Sequence, residues 1–227
     1  YQNILGNWVQ IGSDIDGEAA DDKSGHSLSL SSDGSIVAIG AIGNDANGDN
    51  AGHVRVYQYI AGTWTQIGQD IDGEATDDWS GWSVSLSNNG SIVAIGAPYT
   101  FDGGSTKVYE NISGTWTQIG ATIEGEAASD MSGYSVSISG DGSTVAIGAL
   151  QNDGNGDNSG HVRVYENISG TWIQIGADID GEAAGDWAGS SVCLNNDGSI
   201  VAVGAKTNDG NGSNSGHVRL FENVSGT

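Results

Sequence analysis

Two loops carry the residue types and spacing that a hard cation would need. Asp45-Ala46-Asn47-Gly48-Asp49 and Asp153-Gly154-Asn155-Gly156-Asp157 each place three oxygen-bearing side chains at alternating positions, which is how a flexible calcium loop begins. Calcium takes about six to eight oxygens, which these side chains, carbonyls and water would supply together. Asp45, Asn47, Asp49, Asp153, Asn155 and Asp157 are therefore the candidate metal ligands, with Ca2+ as the candidate cofactor. A solvated Asn/Gly turn is the plainer reading of the same residues. No glutamate follows at the spacing of a helix-loop-helix site, and a further copy, Asp209, Asn211 and Ser213, is one charge weaker.

A second set could recognise a ligand by stacking. At two positions flanking a recurrent glycine, otherwise similar units read Lys23, Trp79, Met131, Trp187 and His26, Trp82, Tyr134, Ser190. Variation confined to one end of a repeat is what a binding face would show, and aromatic rings there can stack on a sugar or a peptide. Trp79, Trp82, Met131, Tyr134, Trp187 and His26 are the candidate ligand-binding residues. The alternative is that they plug the mouth of the array. His53, His161 and His217 recur once per unit, with Ser105 in the second. One histidine per unit is a poor metal set, so these read as structural. Cys193 takes the place of Ser29, Ser85 and Ser137 and reads as a packed small side chain. No nucleophile elbow, phosphate loop or paired histidines occur, and no carboxylate pair stands out from those in every turn. No enzyme is expected.

The elements that must position these residues come from repetition. Gly25, Gly81, Gly133 and Gly189 open four similar units, and Trp8, Trp64, Trp116 and Trp172 mark a Gly-x-Trp-x-Gln-Ile-Gly segment, both series spaced 56, 52 and 56 residues apart. Units of this size usually complete their apolar faces against neighbours. In the first unit Ser27 to Leu30 alternate, which puts Leu28 and Leu30 on one face of a strand. Asp33-Gly34 then signals a tight hairpin, as do Asn89-Gly90, Asp141-Gly142 and Asp197-Gly198. Residues 36–41 are apolar on both faces, and 52–59 and 64–71 supply two more strands. Four sequential strands per unit predict a meander sheet.

The prediction is an all-β chain, one β-propeller domain over 1–227 with four blades of four antiparallel strands. Its repeats run over about 25–71, 81–123, 133–179 and 189–224 plus 1–15, so that the N-terminal strand completes the last blade. A share in a larger ring, half of a ring made by two chains, and an open or filamentous stack are the competing arrangements.

Composition narrows the partners. With 29 acidic against 6 basic residues, the formal net charge is −23. Such a field repels nucleic acid and anionic membrane and attracts cations or basic partners. No run approaches membrane-spanning length, so no insertion into a membrane is expected. The first residue is Tyr1, which reads as a processed chain or a piece of a longer one.

Gly81 to Leu86 with Ile92 to Pro98, and Gly133 to Ile138 with Val145 to Ala149, each followed by a polar loop and a Val-Tyr strand, resemble the FG-GAP repeats of integrin-alpha-like propellers. They also resemble the repeat-rich secreted surface proteins of marine bacteria. The resemblance implies a non-catalytic extracellular or cell-surface module for binding or adhesion, recognising a glycan or an extracellular protein, often with calcium. The family's Asp-rich calcium loop is shortened here to Ser32-Asp33-Gly34-Ser35, which moves the calcium question to the loops at Asp45 and Asp153. The second expectation is a structural repeat protein that assembles into a surface layer, a filament or a larger propeller with no small ligand. Homo-oligomers are compatible with both.

Overall fold

A computed structural model describes residues 1–224 of the chain. It is all-β. A short hairpin, β1 (Gln2–Ile4) and β2 (Asn7–Val9), precedes four antiparallel sheets. The first sheet is the meander β3 (Ser24–Leu30), β4 (Ile36–Ala41), β5 (His53–Ile60) and β6 (Thr63–Gln66), with β7 (Ile71–Asp72) as a second partner of β5. The second repeats it with β8 (Ser83–Leu86), β9 (Ile92–Ala97), β10 (Ser105–Ile112), β11 (Thr115–Gln118) and β12 (Ile123–Glu124). The third has β13 (Ser132–Ile138), β14 (Thr144–Ala149), β15 (His161–Ile168), β16 (Thr171–Gln174) and β17 (Ile179–Asp180). Among the described residues the fourth has three strands, β18 (Ala188–Leu194), β19 (Ile200–Ala205) and β20 (His217–Glu222).

The apolar residues do what alternation requires. Val54 and Val56 of the first sheet pack on Val84 and Leu86 of the second, with Trp116 closing the cluster. The same layer recurs between the second and third sheets, around Val108, Val136 and Ile147, and between the third and fourth, around Val162, Leu194 and Val203. Polar side chains stitch the sheets at matching points. Ser27, Ser83 and Ser135 hydroxyls donate to the carbonyls of Gly81, Gly133 and Gly189 at 2.6, 2.8 and 2.8 Å. Approach is so close there that a Cβ on Gly96 would lie 2.0 Å from the Gly133 oxygen, which explains the penultimate glycine of β4, β9 and β14.

The hairpin turns meet at one end of the array. Ser32 N–H donates to Asn88, Asn88 to Gly140 and Gly140 to Asn196, each link 2.8 Å. In the first three turns the side chain at the Asp or Asn position accepts from the serines on either side, and in the fourth Asp197 accepts from Ser199 N–H and Oγ. Asp33 takes Ser31 Oγ, Ser35 N–H and Ser35 Oγ at 2.7 to 2.9 Å, which holds its carboxyl down at about 2.

The expected closed ring does not form. β1 pairs with β2, in the register Gln2↔Val9 to Ile4↔Asn7, and not with the fourth sheet. Four sheets stand in succession, none of them closed on itself or completed by the N-terminal strand. The reason is local: Leu5 and Gly6 adopt positive φ of 53° and 88°, the two-residue turn that favours a hairpin. A partner two residues away closes a far smaller loop than one some two hundred residues away. Residues 10–18 then lie on the first sheet as 66–74 lie on the second.

Candidate metal centre

The buried histidines that open β5 and β15 organise the site. His53 and His161 are each 1 % exposed, and register sets them opposite Asp72 on β7 and Asp180 on β17. Into the same space come an aspartate four residues after the last Gln of β6 or β16, and a glutamate from the acidic segment that precedes the same sheet. One ligand atom from each of Glu18, His53 and Asp70 lies within 4.8 Å of the other two, and Glu126, His161 and Asp178 are arranged alike.

In the third unit His161 Nδ1 is 3.7 Å from Glu126 Oε2 and 3.8 Å from Asp178 Oδ2. These gaps are too long for hydrogen bonds. They are close to the separation of about 3.4 Å between donors of a tetrahedral ion with bonds of about 2.1 Å. Neither ring nitrogen of His53, nor Nδ1 of His161, has a hydrogen-bond partner among the described residues. An unpaired buried polar atom costs about 1–3 kcal/mol, so the orphaned Nδ1 facing two carboxylates fits a cation. Burial pushes both imidazoles below their ordinary pKa, helped at His161 by Arg163, and the neighbouring carboxylates only partly oppose it. Neutral imidazole has the lone pair that a metal needs.

Outer partners orient the ligands. Gln66 Nε2 donates to Asp70 Oδ1 at 2.5 Å, and Gln174 Nε2 to Asp178 Oδ1 at 2.6 Å. Arg55 reaches Glu18 at 3.2 Å while donating to the Asp16 carbonyl at 2.8 Å. Arg163 does the same with Glu126 at 3.5 Å and the Glu124 carbonyl at 2.7 Å. Glu18 and Glu126 are nearly half exposed, so each centre opens to solvent on its glutamate side.

The second unit is built differently at the same place. Ser105 replaces the histidine, Thr122 the aspartate and Lys107 the arginine, and Lys107 Nζ lies 2.7 Å from Glu74 Oε1. In the fourth unit His217 Nδ1 is 3.6 Å from Glu182 Oε2, with Arg219 beside the same carboxylate at 3.8 Å.

The residues singled out from sequence are also placed. Asp45 and Asp153 accept the backbone N–H of Asn50 and Asn158 at 2.8 and 2.7 Å. Asn47 and Asn155 donate to the carbonyls of Gly73 and Gly181, both at 2.8 Å. Asp49 and Asp157 link to the next segment through backbone carbonyls. Trp82 collects His26, Trp79 and Tyr134 at ring distances of 4.7, 5.6 and 5.4 Å. Lys206 Nζ lies 4.6 Å from the Trp187 ring and 5.6 Å from Tyr134, and Met131 is buried. Reading one histidine per unit as structural missed the centres, because their carboxylates come from elsewhere in the chain. The signal was present: His, Asp and Arg change together in the second unit.

The FG-GAP repeat model matches residues 116–165, about one unit. Sequence comparison finds no match among curated proteins. Among solved structures, Kuenenia stuttgartiensis hydrazine synthase is similar over 97 % of this chain and 51 % of its own, with 14 % identity and a TM-score of 0.58. The periplasmic gluconolactonase of Pseudomonas aeruginosa is similar over 88 % of this chain and 57 % of its own, with 17 % identity and a TM-score of 0.57. Identities this low speak to the fold alone, that of β-propeller proteins, and the chain spans about half the length of each. The expectation of a non-catalytic module for adhesion or carbohydrate binding is corrected by the two His-carboxylate centres, and the fold neighbours are titled as enzymes. Two clusters that could hold a metal ion are present where the histidines were expected to be structural, and nothing in them specifies calcium.

Proposed function

We propose that the chain is a metal-dependent hydrolase on a propeller-type repeat array, holding one divalent ion at Glu18, His53 and Asp70 and another at Glu126, His161 and Asp178. The observation that carries this reading is the joint replacement in the second unit. A histidine kept only for packing has no reason to change in step with an aspartate in the connection after β6 or β16, or to do so where a lysine takes up the glutamate. The donor set favours zinc, iron or manganese: imidazole suits the transition ions, whereas calcium prefers a shell of oxygens.

Three protein ligands leave a position for water, as in catalytic zinc sites. Glu18, His53 and Asp70 would hold such an ion, which when bound would supply an activated water and a Lewis acid for a carbonyl. Asp72, whose carboxyl is pushed up by burial and then by Asp70, stands with Oδ1 3.9 Å from His53 Nδ1, a buried oxygen with no hydrogen-bond partner among the described residues. It is placed to accept a proton from such a water. Arg55 and Arg163 fix the glutamates. The net charge of −23 selects against anionic substrates, which favours neutral or cationic ones.

Calorimetric titration with Zn2+, Mn2+ and Ca2+, followed by turnover of p-nitrophenyl acetate and gluconolactone with and without chelator, tests the reading. Two transition ions per chain, a raised unfolding midpoint and chelator-sensitive turnover are expected. No binding at millimolar ion sinks it, and binding without turnover removes the hydrolase.

A further inference from the structure

We propose that the aromatic platform centred on Trp82 docks the chain on a zwitterionic phospholipid surface, with its rings among the headgroups and Phe101 in the apolar layer beneath them. The contact is peripheral, since no helix among the described residues is long and apolar enough to cross a membrane. No ligand of either His-carboxylate cluster belongs to the platform, so the inference stands apart from the metal reading.

The platform is assembled from successive units. The Trp82 ring meets His26 of the first unit at 4.7 Å, Trp79 and Tyr99 of its own at 5.6 and 5.5 Å, and Tyr134 of the third at 5.4 Å. Lys206 extends it, with Nζ 5.6 Å from the Tyr134 ring and 4.6 Å from that of Trp187. Trp79 and Trp187 both hold a left-handed φ of 54°, which glycine would adopt without strain. A large ring is thus kept against the preference of its own backbone, a pattern of functional surfaces.

Exposure rises toward one loop. Seven residues join β9 to β10, whereas eleven join β4 to β5 and β14 to β15. The shorter loop turns at Thr100, whose carbonyl accepts the N–H groups of Gly103 and Gly104, both at 3.2 Å. That turn leaves Tyr99 44 % exposed and Phe101 95 % exposed. Tryptophan and tyrosine rings favour the headgroup layer of a membrane, and phenylalanine the boundary with the acyl chains.

Charge selects the kind of surface. Of the six basic residues, Arg55, Lys107, Arg163 and Arg219 lie 2.7 to 3.8 Å from a glutamate. Lys23 and Lys206 have no carboxylate partner of this kind among the described residues. Both stand over rings of the platform, Lys23 Nζ being 5.4 Å from Trp79. Exposed Asp21, Asp77 and Asp102 lie within two residues of Lys23, Trp79 and Phe101. Ammonium groups over the rings and carboxylates around them match the phosphate and the quaternary ammonium of a phosphatidylcholine headgroup, whose methyls the rings attract by cation–π interaction. An anionic surface is instead repelled by the net charge of −23.

Co-sedimentation of the intact chain with vesicles tests this, using phosphatidylcholine alone and an equimolar mixture with phosphatidylglycerol. Binding to phosphatidylcholine is expected, and the anionic lipid should weaken it at low salt. Phe101→Ser, at a position with almost no packing to lose, should weaken binding by about tenfold or more, the partition of one phenylalanine. Lys23→Gln with Lys206→Gln should weaken it by about fivefold or more through lost contacts to phosphate. Brominated acyl chains should quench tryptophan emission, and Trp79→Phe with Trp82→Phe should remove most of that quenching. No binding to phosphatidylcholine, preference for the anionic mixture, or binding unchanged in both F101S and the double lysine variant overturns the docking. Competition by soluble phosphorylcholine with F101S silent also overturns it, and makes the platform a small-ligand site.

Discussion

In the first and third units a buried histidine, an aspartate and a glutamate face one another, whereas the second unit holds Ser105, Thr122 and Glu74, with Lys107 reaching the glutamate. The backbones are alike. β5, β10 and β15 have the same length, and each has a two-residue partner opposite its first residue. What differs is local charge: losing the aspartate removes one negative group. The remaining glutamate is met by an ammonium tethered to the chain. The first and third units keep the extra carboxylate, and their arginines are already committed to a backbone carbonyl as well as to the glutamate. The extra carboxylate is what marks these two places, and not the second, as candidates to hold a cation.

This contrast can be broken. The largest effect is expected from removing the histidines: His53→Ala with His161→Ala should weaken ion binding by more than about 100-fold in calorimetry. Even the loss of an outer partner costs about 10–100-fold. Ser105→Ala should change nothing. Equal responses would erase the distinction between the units.

Installing the missing residues is the next test. Ser105→His, Thr122→Asp and Lys107→Arg together should raise the count of intra-chain ions from two to three, read by native mass spectrometry. An unchanged count in a folded variant would show that the ligand set alone does not make the site.

A smaller effect separates Gln66 from Gln118. Gln66→Leu frees Asp70 and should lower affinity by about tenfold or more. Gln118→Leu, whose partner is Thr122 at 3.3 Å, should leave ion binding untouched.

The smallest effect lies in the turns, where the second unit again differs by carrying Asn89 in place of an aspartate. Hydrogen bonds from the flanking backbone and serines depress Asp33 to about 2 and also depress Asp141 and Asp197. A carboxylate with a lowered folded pKa stabilises above its unfolded value near 3.8, and that stability is lost as pH falls through the folded one. Thermal unfolding midpoints should therefore drop between about pH 4 and 2. Replacing all three aspartates by Asn, on the pattern of Asn89, should flatten that drop.

Much of the fold was legible because it is written in local terms. Leu28 and Leu30 alternate with serines, Asp33-Gly34 turns the chain, and Gly40 lies within β4 where the next sheet comes close. Closure was misread because Trp8 looked like a strand awaiting a distant partner, while Leu5 and Gly6 had already given it one nearby. The His-carboxylate clusters were hidden for the opposite reason. His53 is joined by Glu18 and Asp70 from segments 35 residues before and 17 after it, and no single stretch of sequence displays the three together. Only the comparison between units exposes them, through Ser105 and Thr122 changing in step.

The ladder linking the hairpin turns runs one way. Ser32 gives to Asn88, Asn88 to Gly140 and Gly140 to Asn196, so the array has a donor terminus and an acceptor terminus. Two copies related by a twofold axis would set like against like, two amide hydrogens or two carbonyl oxygens. Any growth that continues this ladder must be polar, with every added copy facing the same direction, and it stops only if the turn from copy to copy brings the first back to the last.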